Sequence, residues 1–262
     1  MKSNPSFKFT LACAALALTV TATQATVLDL GSSGSGSVGG AFFSTTDIQP
    51  TGTGVFDPFL TIQNTPTEQG YNGSNGNFDT KRVPVWNHEI LFSDLRAQTI
   101  NGTQYFSFIV DVNEPNGGPK SLISLDSLKI WTSSTIQGST STDANGNFNG
   151  SLGNLVFDMG AGNSVKYNDQ QHGSGSGDIN IFIPVSDFAG VQSTDYVYMY
   201  QAWGSSDVSD GGFEETAIGQ GIVPVPEVAP SSVIFGFLGL VVAVSSRRAL
   251  SGRVRALARI SK

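Results

Sequence analysis

Asp195-Tyr196-Val197-Tyr198-Met199-Tyr200-Gln201-Ala202-Trp203 is the stretch that decides the fold. Its tyrosines alternate with Val197, Met199 and Gln201, the period of two that sends successive side chains to opposite faces of a strand. Runs of similar character lie at 83–92, 104–112, 124–132, 155–159 and 178–185. Between them Asn-Gly pairs recur at 72–73, 75–76, 101–102, 116–117, 145–146 and 149–150, the strongest short-range turn signal. Ile100-Asn101-Gly102-Thr103 reads as a tight turn leading into the run at 104–112. No part of the body holds a 3.6-residue apolar stripe for three turns, and no internal repeat is visible. The pattern predicts an all-β, antiparallel β-sandwich of jelly-roll-like type over residues 26–222.

Composition agrees. Only 13% of residues are charged, 31 are glycine, and an aromatic content of 10% supplies the area that offsets chain entropy. The formal charge of −7 conceals an asymmetry. Lys2 and Lys8 precede the first apolar run, and Arg247, Arg248, Arg253, Arg255, Arg259 and Lys262 follow the last. Six basic residues then face 20 acids in the body, which carries about −14. Such a body repels nucleic acid and anionic lipid, and attracts divalent cations or basic partners.

Residues 1–25 divide like a secretory signal: two lysines, an apolar run from Phe9 to Val20, and a small residue at Ala25. That run of about 12 residues is too short for a membrane span of roughly 20. The only cysteine, Cys13, lies inside it, so the processed chain has no disulfide, thiolate nucleophile or cysteine-based metal site. At the other end, Pro224-Val225-Pro226-Glu227-Val228 is stiff and extended. An uncharged apolar segment follows, about 229–246, and then the basic tail 247–262. Flanking arginines that snorkel make so short a span workable, and the positive-inside rule leaves the tail cytoplasmic and the body outside.

This order of Pro-Glu motif, short apolar helix and arginine cluster resembles the PEP-CTERM sorting signal, over about the last 35 residues. The family's Val-Pro-Glu-Pro stands here as Val225-Pro226-Glu227-Val228, with valine in place of the last proline. The resemblance implies recognition at that motif by an exosortase-type membrane protease, with Arg247 and Arg248 as the cytoplasmic anchor and release of the body to the envelope or polymer matrix. It also implies the Sec translocon, signal peptidase and bacterial membrane as partners, and extracellular polysaccharide as a further one. The stretches 108–131, 155–184 and 196–218 are similar to the bodies of PEP-CTERM-bearing proteins and imply no catalytic role.

Other motifs carry less. Gly34-Ser35-Gly36-Ser37-Val38-Gly39 has the dinucleotide-binding spacing, but no helix signal follows, so it reads as a flexible segment. His172 beside Ser174 and Ser176 lacks a nucleophile-elbow context, and the only other histidine is His88, too few for a multi-histidine metal site. Asp143 to Gly150 places oxygens at alternate positions, yet Phe148 stands where an EF-hand loop needs glycine, which favours a solvated hairpin loop. Asp207, Asp210, Glu214 and Glu215 read as surface-solvated acids. The expectation is therefore a non-enzymatic envelope or matrix protein with no catalytic residues, metal or cofactor. The alternatives are a carbohydrate-binding module using Trp86, Trp131 or Trp203, and a polysaccharide hydrolase using two facing carboxylates.

Overall fold

The computed structural model describes residues 24–31, 34–46, 56–75, 78–115, 117–169 and 177–219. Most of the signal segment, the motif Val225–Val228, Arg247 and Arg248 lie outside them, as do His172, Ser174 and Ser176. Among the described residues no helix is long and apolar enough to cross a membrane.

Among the described residues fourteen strands, numbered in chain order, form two seven-stranded sheets. The first contains β1 (Val27–Asp29), β5 (Glu68–Tyr71), β6 (Ile90–Leu91), β9 (Leu122–Ser133), β10 (Asn154–Asp158), β11 (Ser164–Asn168) and β13 (Tyr196–Trp203). The second contains β2 (Ser35–Val38), β3 (Ala41–Ser44), β4 (Pro58–Ile62), β7 (Ala97–Ile100), β8 (Thr103–Val112), β12 (Ile179–Pro184) and β14 (Glu214–Ile218). The first runs β1-β11-β9-β13-β5, with β10 also on β9 and β6 also on β13. The second runs β2-β3-β12-β8-β14-β4, with β7 also on β8. Every pairing is antiparallel except β1 with β11.

The alternation in β13 organises the interior. Val197, Met199 and Trp203 join Ile123 and Leu125 in one core cluster with Phe43, Phe59, Phe108, Val110 and Ile181 of the second sheet. Each such side chain contributes about 1.5–3 kcal/mol on burial. Tyr198 and Tyr200 point the opposite way, yet they too are buried, in a second cluster with Tyr71, Trp131, Phe148 and Leu152. The segment 134–153 straps this outer face and supplies partners for the phenols of Tyr71 and Tyr198, while β5 serves that of Tyr200. Gln137 N donates to Tyr198 Oη at 2.8 Å, Tyr71 Oη donates to the Ser139 carbonyl at 2.9 Å, and Tyr200 Oη donates to Gln69 Oε1 at 2.8 Å. Tyrosine rather than phenylalanine suits these places because the ring is buried while the hydroxyl reaches a polar partner, strap backbone for Tyr71 and Tyr198 and the Gln69 side chain of β5 for Tyr200.

The expected runs at 104–112, 124–132, 155–159, 178–185 and 196–203 correspond to β8, β9, β10, β12 and β13. The Asn101-Gly102 turn joins β7 to β8, both residues having positive φ (49° and 83°). Two expectations are corrected. The run at 83–92 forms a strand only at Ile90–Leu91; Pro84 brings a turn, with Trp86 N and Asn87 N both donating to the Val83 carbonyl. The glycine-rich segment 34–39 is not simply flexible: β2 and β3 make a hairpin turned by Gly39 and Gly40, with φ of 61° and 91°. What fixes that hairpin is remote in sequence, because β3 lies on β12 and Phe42 stacks on Phe182 at 5.7 Å.

Candidate metal centre

Three glutamates from distant parts of the chain meet at one end of the core. Glu214 opens β14, whose neighbours are β4 and β8, with Glu214 in register with Ile62 and Val112. Its side chain shares a face with that of Thr216, which accepts from Gln201 Nε2 of the first sheet at 2.9 Å, so this face looks across the core. Glu68 opens β5 of the first sheet, opposite Trp203. Glu114 stands just beyond the end of β8. Their exposures are 0%, 2% and 4%. One carboxylate oxygen from each lies within 4.8 Å of those of the other two.

The segment 204–213 closes the site. Ser209 N donates to the Pro66 carbonyl at 2.9 Å, and Gln63 Nε2 donates to the Gly211 carbonyl at 2.8 Å. Ser209 Oγ and Asp210 N donate to the two oxygens of Glu114 at 3.1 and 2.8 Å, fixing its carboxylate. Asn64 N donates to Glu68 Oε2 at 2.9 Å. Glu68 Oε1 and both oxygens of Glu214 accept no hydrogen bond. Among the described residues the two ion pairs are Lys129–Asp158 and Lys166–Asp207, and neither touches the three glutamates.

Burial is the largest influence on all three, opposed at Glu114 by the Ser209 and Asp210 donors and at Glu68 by Asn64 N. It pushes Glu214 well above the usual carboxylate range and raises Glu68, while Glu114 rises to about 7. The charges also raise one another: Glu214 feels both neighbours, and Glu114 feels Glu68. Only a proton held between Glu68 and Glu214, or a cation, makes such an arrangement tolerable in a medium of low dielectric. Oxygen is the sole donor type, which excludes a soft-metal preference and suits a hard divalent cation.

Of the four acids read as solvated, Asp210 is exposed as expected, but Glu214 is wholly enclosed, Asp207 pairs with Lys166 at 2.9 Å, and Glu215 is half-buried. Strand alternation separates the neighbours Glu214 and Glu215, which look alike in the sequence. Glu68 and Glu114 were not anticipated at all. Glu114 and Glu214 do lie in 108–131 and 196–218, two of the stretches singled out above, which was the available signal. At 143–150, Asp143 Oδ1 instead accepts from Asn145 N and Asn147 N at 2.8 and 3.0 Å, folding onto its own exposed turn.

Of the three tryptophans, Trp131 and Trp203 are buried and Trp86 is 41% exposed, packed edge-on to Phe213. They form no exposed row. A polar groove of about 570 Å³ runs over the first sheet instead, with Gln69, Asp79, Asp126, Lys129, Asp158 and Tyr200 among its walls.

A second group of buried acids lies elsewhere. Asp178 accepts from Val112 N at 2.8 Å and from Tyr167 Oη at 3.0 Å. Burial, with Asp169 and Asp111 nearby, raises it to about 8. Its folded value stands above its unfolded one, so its stabilisation is complete below about pH 4 and disappears as pH climbs through about 8. In thermal melts of wild type and Asp178→Asn, the variant should gain on wild type by several degrees between about pH 5 and about pH 9. An unchanged gap would show that Asp178 keeps its charge when folded.

No protein-family model matches the chain, nor does any curated protein or solved structure.

Proposed function

We propose that the chain is an exported envelope or extracellular-matrix protein whose sandwich body, of jelly-roll-like build, is carried and sorted by its two ends. The observation that carries this reading is the order Val225-Pro226-Glu227-Val228, uncharged apolar segment, Arg247-Arg248, behind a signal-like 1–25 and a body without cysteine. Residues 26–222 then form the exported domain, 223–262 the sorting segment read by an exosortase-type protease, and the Sec translocon with signal peptidase removes 1–25. Two sheets around a continuous core support the sandwich reading. A structural rather than catalytic role is supported by the site chemistry, since Glu68, Glu114, Glu214 and Asp178, whose protonation burial perturbs strongly, are all shut away from solvent.

Intact-mass measurement on native protein from membrane and secreted fractions tests the reading. The expected species lacks 1–25 and everything after about Glu227. A membrane-bound form that retains the arginine tail would leave an ordinary single-span anchor and end the exosortase assignment.

A second reading, a sugar-binding surface, is favoured by the polar groove on the first sheet rather than by the tryptophans. Its acids and Lys129 offer the hydrogen-bonding groups that sugar hydroxyls need.

A further inference from the structure

We infer that Glu68, Glu114 and Glu214 form a binding site for one divalent cation of calcium type, which ties the two sheets together at one end of the core. Two independent observations support it. The three carboxylates converge, with one oxygen of each within 4.8 Å of the other two, no more than the roughly 5 Å between oxygens on opposite sides of a calcium ion. Separately, Glu214 is 0% exposed and its carboxylate takes no hydrogen bond from any neutral or cationic side chain; its one side-chain partner is the equally buried Glu68, whose Oε1 is otherwise unserved. A buried carboxylate in a folded protein ordinarily finds a donor. Here the oxygens without a donor belong to Glu68 and Glu214, the two carboxylates contributed by opposite sheets.

The ligand set decides the metal class. Three glutamates, with no histidine or cysteine among them, disfavour zinc and copper. Calcium accepts six to eight oxygens in loose geometry, including bidentate carboxylate, which the two free oxygens of Glu214 can supply. Magnesium demands a tighter octahedron at about 2.0–2.1 Å and gives up its water reluctantly. Each oxygen of Glu114 accepts one hydrogen bond and retains a lone pair for a cation. Ser209 and Asp210 thus act as positioning groups that hold the third ligand ready.

Because Glu68 belongs to the first sheet, and Glu114 and Glu214 follow or open strands of the second, the cation bridges the layers. Its binding free energy then adds directly to folding stability. The inference does not depend on how the chain is sorted, since it concerns the body alone.

Full-length protein in detergent, stripped with EDTA, provides the test. Equilibrium dialysis against calcium chloride should give one ion per chain, and saturating calcium should raise Tm by about 5 °C or more, with magnesium much weaker. Glu214→Gln keeps the shape and mimics the protonated form, so it should fold, bind calcium at least about tenfold more weakly, and lose the rise in Tm. Glu114→Gln should weaken binding in the same direction, and serves if Glu214→Gln is unstable. Asp143→Asn, in the exposed turn, should leave binding intact. Wild type that neither binds one ion nor gains stability would overturn the site in favour of a proton shared by Glu68 and Glu214. Binding unchanged by both glutamate variants would overturn it as well.

Discussion

Trp203→Ala should destabilise the fold by about 3–5 kcal/mol, the range for emptying a large aromatic site in a packed core. Trp203 is 1% exposed, sits at the bulge where β13 steps past β9, and lies opposite Glu68. Its Nε1 donates to Gln201 Oε1 at 3.0 Å, and Gln201 Nε2 in turn donates to Thr216 Oγ1 at 2.9 Å, so the indole anchors a polar link between the sheets. Removal creates a cavity and also leaves Gln201 Oε1 with one donor fewer. In thermal unfolding this amounts to about 6–20 °C, at roughly 2–4 °C per kcal/mol for a domain of this size. Trp203→Phe retains much of the volume and should lose clearly less. Equal losses for the two would place the effect in the indole hydrogen bond instead of the packing.

Gly212→Ala should be almost as damaging for an opposite reason. A Cβ at Gly212 would stand 1.9 Å from the Asn113 carbonyl oxygen and 2.4 Å from its carbon. Both are backbone atoms of the segment that delivers Glu114, and no rotamer change relieves the overlap. Either 204–213 lifts away or 113–114 shifts, so the cost should reach the upper end of the roughly 1–3 kcal/mol typical of overpacking, or exceed it. The same displacement pulls Asp210 N from Glu114, and calcium binding should fall with stability. Gly190→Ala makes the comparison: its φ of 85° is strained for alanine, but nothing lies within 4 Å of the added carbon. That change should cost only about 1–2 kcal/mol and leave the cation untouched.

Long strands were legible in the sequence where local chemistry alone determines them. β8, β9 and β13 carry long runs of apolar, aromatic and β-branched residues, with β8 set between Gly102 and Asn113 and β13 ended by Gly204. β3, β4, β5 and β14 were not, because each is only four or five residues long and takes its conformation from strands far away in sequence. Pro58 begins β4, and Glu214-Glu215 begin β14; both openings read locally as chain outside a sheet. The buried triad was hidden for the same reason. Acids are plentiful in this body, and only the register of β14 between β4 and β8 turns Glu214 inward. The aromatic alternation in β13 was read correctly as a strand, but not that both of its faces are covered. That second layer depends on the strap 134–153, anchored by Phe148 between Tyr71 and Tyr200 at 5.4 and 5.2 Å.

The place of β14 also bears on mechanics. A pull on the chain beyond Ile218 enters a strand hydrogen-bonded on both edges, to β4 and to β8. Force along that strand loads two ladders in shear at once, so many bonds must fail together. A pull through the other end would grip β1, three residues long and held by β11 alone, which can peel one bond at a time. A body fastened by its C-terminal side is thus gripped where it resists extension best, with the three glutamates meeting at the far end of the same loaded strand.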